Sequence, residues 1–413
     1  MYAVSLKCLF CGEEYHVSTK TECSNCGSHL EVKYNYSRLL DSLKFRSAIP
    51  EPGQNIWRYR ALLPVEQRDH MISLFEGGTP LFEAKNLSNK MGLKNLFIKD
   101  ETRNPTGSFK DRPMAVGVSK SIEFGFRAVC TASSGNGAAS LAAYAAKANL
   151  NCFVFIPEST PIGKVTQAAV CGAQIIKVPG DYSNAFRLAN SASKEFSWMN
   201  LTSTFLNPYT LEGDKTVAYE LYYQLNFKVP EWIIVPTGAG PLVYGIYKGF
   251  TELSYFRNFE RLPKMVSVQA EGCDPIVKAF NQNKSEVISI KNPPQTIASA
   301  IADPLRGYEK DGEFVLRIIR KSNGLAVSVS DDEIKDAQSQ LAKEEGVFAE
   351  PSGAASIAGL KKLVNVGIIR HKDRVVCIIT GHGLKDSFNT TIESKKISIC
   401  SSIADINNLG ILR

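Results

Sequence analysis

NLFIKDETRNPTGSFKDR, residues 95–112, carries a strand pattern, a loop and the start of a helix in direct succession. Residues 95–100 are mostly apolar and predict a buried strand. The loop that follows is rich in Asn, Pro and Gly, and residues 112–124 predict a helix that ends at Gly125. Lys110 lies at the start of this helix, where the helix dipole lowers the cost of a neutral amine. Such a lysine can form a Schiff base and act as acid or base, although a surface lysine is the commoner occupant of a helix start.

Strand patterns alternate with helix patterns along the rest of the chain. Further strands are predicted at residues 128–132, 152–156, 174–178, 233–236, 265–269 and 375–380. Helices are predicted between them, for example over residues 137–148 and 164–170. This alternation predicts an α/β fold whose parallel sheets carry helices on both faces. Ligands in such folds bind beyond the carboxyl ends of the strands.

Three later loops follow predicted strands, as the Lys110 loop does. They are TASSGNGAAS (Thr131 to Ser140), IVPTGAG (Ile234 to Gly240) and ITGHGLKD (Ile379 to Asp386). Small residues at the start of a helix leave backbone amides free to bind an anion. The first two loops are therefore predicted anion sites, although each alone is weak evidence because many strand-to-helix turns have a similar composition.

Two CxxC pairs near the N-terminus predict a zinc-ribbon-like module over residues 1–36. Glycine follows each pair directly, and such turns can place four thiolates tetrahedrally around one structural zinc ion. The predicted ligands are Cys8, Cys11, Cys23 and Cys26. Two alternatives remain: a ribbon fold that has lost the metal, and plain buried thiols.

The composition is ordinary for a globular protein. The chain has 413 residues, of which 44% are hydrophobic and 22% charged, and its formal net charge is +7. This length predicts two or three domains, and the small positive charge does not separate anionic substrates from nucleic acid. No signal-peptide pattern or apolar run of 18 residues is present, and the other six cysteines lie among apolar residues. These features predict a cytoplasmic protein with reduced thiols and no membrane partner.

In their order and spacing, the motifs resemble those of the fold-type II pyridoxal phosphate enzymes, and most closely the threonine synthase family with an N-terminal zinc-ribbon-like segment. The resemblance extends from Cys8 to about Asp386 and rests on NPTGSFKDR, SSGN, the small-residue loop after Val235, EPSGAAS (residues 350–356) and TGHGLKD. It implies a two-lobed fold like that of the tryptophan synthase β subunit. It also implies a connecting arm at residues 37–80 and a catalytic unit at residues 81–413, with a smaller mobile lobe at about 125–215.

The resemblance also implies roles for individual residues. Lys110 would hold pyridoxal 5'-phosphate as a Schiff base, with Phe109 packed near the pyridine ring. Asn136 would hydrogen-bond the ring hydroxyl. Thr380 would face the pyridine nitrogen and leave it largely unprotonated, which suits β- and γ-elimination and replacement. The cofactor phosphate would be bound by Gly238, Ala239 and Gly240. The α-carboxylate of the substrate would be bound by Ser133, Ser134, Gly135 and Gly137.

Two positions depart from the family pattern. Pro241 replaces a glycine of the phosphate loop and can donate no hydrogen bond. Thr210 stands where the family usually has an arginine that helps to bind the substrate phosphate. Lys215 or Arg187 would have to compensate, and we expect Lys215 to be the substrate-binding residue.

The leading hypothesis is a threonine synthase that converts O-phospho-L-homoserine and water to L-threonine and phosphate. The alternative is a related enzyme for β-elimination or β-replacement on another amino acid, such as a serine or threonine dehydratase. A nucleic-acid-binding zinc ribbon on an inactive body is disfavoured, because the cysteine segment also holds three glutamates: Glu13, Glu14 and Glu22. The expected partners are an amino-acid substrate and a second copy of the chain in a homodimer, and no nucleic acid.

Overall fold

The computed structural model describes residues 2–41, 55–257, 259 and 261–389. Its strands are β1 Ala3–Cys8, β2 Glu14–Tyr15, β3 Leu30–Tyr34, β4 Leu81–Glu83, β5 Asn95–Asp100, β6 Ala128–Ala132, β7 Asn151–Pro157, β8 Gln174–Val178, β9 Met199–Asn200, β10 Trp232–Pro236, β11 Lys264–Ala270, β12 Leu325–Val329 and β13 Arg374–Ile379. Residues 42–54 of the predicted connecting arm and residues 390–413 of the predicted catalytic unit lie outside the described residues.

The described helices lie mostly between the strands. They are α1 Tyr36–Asp41, α2 Lys85–Met91, α3 Asp111–Glu123, α4 Asn136–Lys147, α5 Ile162–Val170, α6 Tyr182–Glu195, α7 Thr210–Asp214, α8 Thr216–Gln224, α9 Pro241–Phe256, α10 Pro275–Asn281, α11 Glu309–Lys321, α12 Asp331–Glu345 and α13 Pro351–Asn365. None of these helices is both long and apolar enough to cross a membrane.

A small antiparallel sheet forms the N-terminal module, with strand order β2-β1-β3. Alternating residues of β1 and β3 are buried, as expected of a sheet with one solvated face. Its core includes Leu6, Leu30 and Val32, and it packs against Tyr209 of the main body. The module is therefore joined to the rest of the molecule by apolar contacts.

The largest sheet has six strands in the order β12-β11-β10-β13-β5-β4. All its strand pairs are parallel except the edge pair, in which β4 runs antiparallel to β5. The central strands are continuous apolar runs, and separate buried cores cover the two faces of the sheet. This is the pattern of a parallel sheet with helices on both sides.

The third sheet has four parallel strands in the order β8-β7-β6-β9. Helices α4, α5 and α6 contact its strands. Parallel sheets with flanking helices were predicted from the alternation of strand and helix patterns. The antiparallel edge strand β4 was not, because Leu81–Glu83 is too short to show a strand pattern in the sequence.

The loop that follows β5 is held in place by buried charges. Arg112 donates to Glu101 at 2.7 and 2.8 Å and to Glu220 at 2.7 and 2.8 Å. Lys99 pairs with Glu220 at 2.6 Å. Paired and hydrogen-bonded in this way, the charges offset the cost of burial. The network fixes α3, and with it Lys110 directly before the helix, relative to the end of β5.

Candidate active site

A cavity of about 270 Å³ lies beyond the carboxyl ends of β6, β10 and β13. Its lining includes residues of the three loops that follow these strands, together with the Lys110 loop after β5. Parallel strands end at a common edge of their sheet, so the loops after β5, β10 and β13 meet at one edge of the six-stranded sheet. The loop after β6, from the four-stranded sheet, lines the same cavity.

Lys110 lines the cavity as the residue directly before α3. Its Nζ forms no hydrogen bond or ion pair with any described residue and lies 4.5 Å from the centroid of the Phe109 ring. Burial lowers the pKa of this amine, and the negative charges of Asp214, Asp303 and Glu350 act in the opposite direction. A partly buried amine without a hydrogen-bond or ion-pair partner and with a lowered pKa is suited to nucleophilic attack on a carbonyl group.

The loop between β6 and α4 lines the cavity with Ser133, Ser134, Gly135, Asn136 and Gly137. A side chain at Gly137 would lie 3.0 Å from Ser133 Oγ and 3.2 Å from Ser203 Oγ. The absence of a side chain at Gly137 therefore allows the loop after β6 to lie close to Ser203. Ser203 Oγ is buried, faces the cavity wall and has no partner among the described residues, so it is free to bind a ligand.

The loop between β10 and α9 lines the cavity with Gly238, Ala239 and Gly240. Gly240 has a φ of 101°, and a Cβ atom there would lie 2.0 Å from Val315 Cγ2, so only glycine fits. The amides of these three residues donate to no described acceptor. They precede the N-terminus of a 16-residue helix, which is a favourable place for a phosphate group.

Pro241 occupies the first position of α9. Proline is favoured there because the amide of that position has no acceptor within the helix and the fixed φ of proline suits the helix. The substitution therefore removes one amide from the loop but stabilises the start of the helix that the loop leads into.

Thr380 and Phe109 complete the arrangement around Lys110. The Thr380 carbonyl accepts a hydrogen bond of 3.0 Å from the Phe109 amide, which ties the end of β13 to the lysine loop. The Thr380 hydroxyl has no hydrogen-bond partner among the described residues, and the residue lines the cavity. These groups fit pyridoxal phosphate: an amine without a partner, an unpaired hydroxyl and a glycine loop with free amides.

Lys215 and Arg187 do not line this cavity. Lys215 is fully buried behind α7, where its Nζ lies 2.5 Å from Glu212 and 3.1 Å from Glu252, and 4.0 Å from the ring centroid of Tyr34. Arg187 hydrogen-bonds Asn184 within α6. The structure thus does not bring the predicted substrate-binding lysine to the site, because two buried carboxylates hold its amine elsewhere.

Thr210 is also turned away from the cavity. Its hydroxyl donates to the Asn207 carbonyl at 2.8 Å, and its methyl group lies against Gly117 of α3. The residue is 2% exposed. An arginine at position 210 would therefore have to displace α3.

Two other lysines line the cavity, and sequence reasoning did not select them. Lys164 lies on α5, with its Nζ 3.8 Å from Asp386 Oδ2. Lys385 Nζ donates to the Thr106 carbonyl at 2.8 Å and to Gln167 Oε1 at 2.7 Å. Lys385 belongs to the TGHGLKD motif, so the sequence predicts that it lies in a loop after a strand. The sequence does not predict that its side chain points into the cavity. The cavity also contains the carboxylates of Asp303 and Glu350.

The four N-terminal cysteines form one cluster. Their sulfur atoms all lie within 4.8 Å of one another, and the Sγ atoms of Cys8 and Cys26 are 3.4 Å apart. Sulfur atoms this close can share one metal ion, and four thiolates are the donor set that zinc prefers in structural sites. His29 is not part of the cluster, since its Nε2 lies 2.8 Å from Asp311 Oδ1.

Comparison with known proteins agrees with this geometry. The profile of the pyridoxal-phosphate dependent enzyme family matches residues 72–381. The chain is 43% identical to the threonine synthase of Methanocaldococcus jannaschii and to that of Methanosarcina acetivorans, over 92% of each protein. Among solved structures, maize serine racemase superimposes with a TM-score of 0.64 at 23% identity, over 74% of this chain and 88% of that one. Threonine deaminase isoform 2 of Solanum lycopersicum gives 0.65 at 22% identity, over 88% and 96%, so the fold is shared.

Proposed function

Because the chain belongs to the pyridoxal-phosphate dependent enzymes, and among them to the threonine synthase family, we propose that it converts O-phospho-L-homoserine and water to L-threonine and phosphate. The observation that carries the proposal is the meeting of Lys110, the Asn136 loop and the Gly238–Gly240 loop at one cavity. The structural neighbours share less than 25% identity, so they support the fold and not the choice of substrate.

The cofactor would be held by the groups that line the cavity without partners. Lys110 would bind it covalently, the amides of Gly238, Ala239 and Gly240 would bind its phosphate, and Phe109 would pack beside its ring. Asn136 would donate to the ring hydroxyl, and the Thr380 hydroxyl would face the ring nitrogen. When bound, pyridoxal phosphate withdraws electrons from the α-carbon of an amino acid and so eases loss of the α-proton.

The remaining steps belong to the side chains of the protein. Lys110 is the base that we assign to the α-proton, and it returns protons later, because it is the cavity lysine whose amine has no hydrogen-bond or ion-pair partner among the described residues. The α-carboxylate of the substrate would accept hydrogen bonds from the loop made of Ser133, Ser134, Gly135 and Gly137. The unpaired Ser203 hydroxyl, which faces the same wall, would bind a further oxygen of the substrate.

We assign the substrate phosphate to Lys164 and Lys385 in place of Lys215. A lysine ammonium has three N–H donors, and Lys385 uses two of them for Thr106 and Gln167, so one remains. Lys164 lies one helical turn before Gln167, the residue to which Lys385 donates. The amines of Lys164 and Lys385 therefore lie at the same wall of the cavity. A phosphate dianion buried without cations would be strongly disfavoured. The carboxylates of the cavity would also repel it, so nearby lysine ammonium groups are needed to bind the phosphate.

The substrate assignment is tested by product analysis. With O-phospho-L-homoserine, we expect the purified enzyme to release phosphate and L-threonine in equal amounts, as measured by a phosphate assay and amino-acid chromatography. Serine and threonine, tested in parallel, should release no ammonia at a comparable rate. Ammonia from either amino acid, without phosphate from phosphohomoserine, would instead favour the related elimination enzyme.

We also propose that Cys8, Cys11, Cys23 and Cys26 bind one structural zinc ion. All four positions of a tetrahedral ion would be filled, which leaves none for a substrate. We expect about one zinc per chain by metal analysis, and we expect the variant with all four cysteines replaced by serine to melt at least about 5 °C lower, because metal binding stabilises the folded module.

The matched control for the zinc variant is Cys171→Ser, since Cys171 is partly buried and lies outside the cluster. It should keep both the metal and the melting temperature. A wild-type protein purified without chelators that contains no zinc, or a four-serine variant with the wild-type melting temperature, would contradict the zinc assignment.

A further inference from the structure

Glu350 is a buried acid that the proposed reaction does not use. It directly precedes α13, lines the cavity and is 3% exposed. Its carboxylate lies over Gly381, where a Cβ atom would be 2.5 Å from Oε1. Its side chain makes no capping hydrogen bond to α13, so the carboxylate is not needed to start the helix.

The hydrogen-bond donor to this carboxylate is the amide of Asn136. Asn136 Nδ2 lies 2.9 Å from Oε1 and 3.1 Å from Oε2, and the two residues are 214 positions apart in the chain. Burial raises the pKa of Glu350 to about 7, while the Asn136 hydrogen bond and the more distant charges of Lys385 and Lys164 lower it. No lysine or arginine in the described part of the chain pairs with it directly.

This contact decides which way the Asn136 amide points. The two ends of an asparagine amide have similar shapes, so packing alone does not distinguish Nδ2 from Oδ1. Above a pH of about 7 Glu350 is ionised, and an ionised carboxylate only accepts hydrogen bonds, so it then selects the orientation in which Nδ2 faces it. Nδ2 carries two hydrogens, and when one is directed to Glu350 the other remains for a second acceptor in the cavity.

We propose that Glu350 is a positioning residue that orients the Asn136 amide, so that its nitrogen and not its oxygen is offered to the ring hydroxyl oxygen of the cofactor. The proposal rests on the cofactor site of the proposed function. Without Glu350 the amide could turn its Oδ1 to the ring oxygen, and the hydrogen bond to the cofactor would be lost in that orientation. Glu350 thus acts through Asn136 and not by touching the substrate.

A double-mutant cycle on cofactor binding tests this relation. The variants are Glu350→Ala, Asn136→Ala and the double substitution, each stripped of cofactor and titrated with pyridoxal phosphate at a pH above 7, where Glu350 is ionised. We expect each single variant to bind the cofactor about tenfold more weakly, which corresponds to one charge-assisted hydrogen bond. The double variant should also be about tenfold weaker, because Glu350 has no effect once the amide is absent. All three should share one altered absorption spectrum of the bound cofactor.

Independent action would give a different result. If the double variant binds about a hundredfold more weakly, or if Glu350→Ala binds as wild type does, Glu350 does not act through Asn136. The isosteric Glu350→Gln substitution repeats the cycle without creating a cavity. It keeps one acceptor oxygen, so we expect a loss of about threefold in the wild-type background and none in the Asn136→Ala background.

The cycle also separates this proposal from the proposed function. Borohydride reduction of the wild-type protein with pyridoxal phosphate should label Lys110. If Lys110 is labelled but the two substitutions act additively, only the role of Glu350 is wrong. If Lys110 is not labelled, the cofactor site itself is wrong, and the role of Glu350 fails with it.

Discussion

The Lys110→Ala variant is expected to lose at least about 10⁴-fold in kcat with O-phospho-L-homoserine, because one side chain supplies both the covalent attachment and the proton transfers. Its melting temperature should stay close to that of wild type. The Lys110 side chain is partly buried, and its removal breaks no hydrogen bond or ion pair of the described structure. The measurements are steady-state kinetics and thermal unfolding.

Borohydride labelling adds a direct readout for the same variant. Wild type should be yellow with pyridoxal phosphate and should yield one labelled peptide, which contains Lys110. Lys177→Ala is a matched control, since Lys177 is an exposed lysine outside the cavity. A wild-type protein that stays colourless with excess cofactor, or a label on another lysine, would contradict the assignment.

The second large effect is expected at the two cavity lysines. Lys164→Ala combined with Lys385→Ala should lower kcat/KM for O-phospho-L-homoserine by about 10²–10⁴-fold, since each lysine would give the phosphate a charge-assisted hydrogen bond of about 1.5–3 kcal/mol. Cofactor affinity should change little, because the cofactor phosphate would be bound by the Gly238–Gly240 loop. Substrate saturation curves and cofactor titrations measure the two quantities separately.

Lys215→Ala provides the contrast for this prediction. Removing Lys215 leaves Glu212 and Glu252 with one cation fewer in a buried site, so we expect a loss of stability of about 3–5 kcal/mol and an unchanged KM in the protein that remains folded. A raised KM in Lys215→Ala, with an unchanged KM in the variant that lacks Lys164 and Lys385, would contradict this assignment. It would instead support Lys215 as the residue that binds the substrate phosphate.

Several features of this protein follow from local sequence alone. The strand at Asn95–Asp100 has the predicted bounds, and the helices at Asp111–Glu123 and Asn136–Lys147 begin within one residue of the prediction. Apolar runs, glycines and small-residue loops encode these elements through near neighbours in the chain. The parallel order of the strands then requires the loops after β5, β10 and β13 to meet at one edge of the six-stranded sheet, whereas the packing of the two sheets brings the loop after β6 to the same cavity.

The partners of the charged side chains were decided by the tertiary structure. Lys215 lies five residues after Thr210, the position at which the family usually has an arginine. Buried carboxylates on α7 and α9 nevertheless hold its amine away from the cavity. Lys164 and Lys385 reach one wall of the cavity from positions more than 200 residues apart, as do Asn136 and Glu350. The sequence by itself determined where the loops of the site lie along the chain, because helix and strand propensities act locally. Only the folded structure decided which charge faces the cavity, because a buried ion is stable only beside partners that distant segments supply.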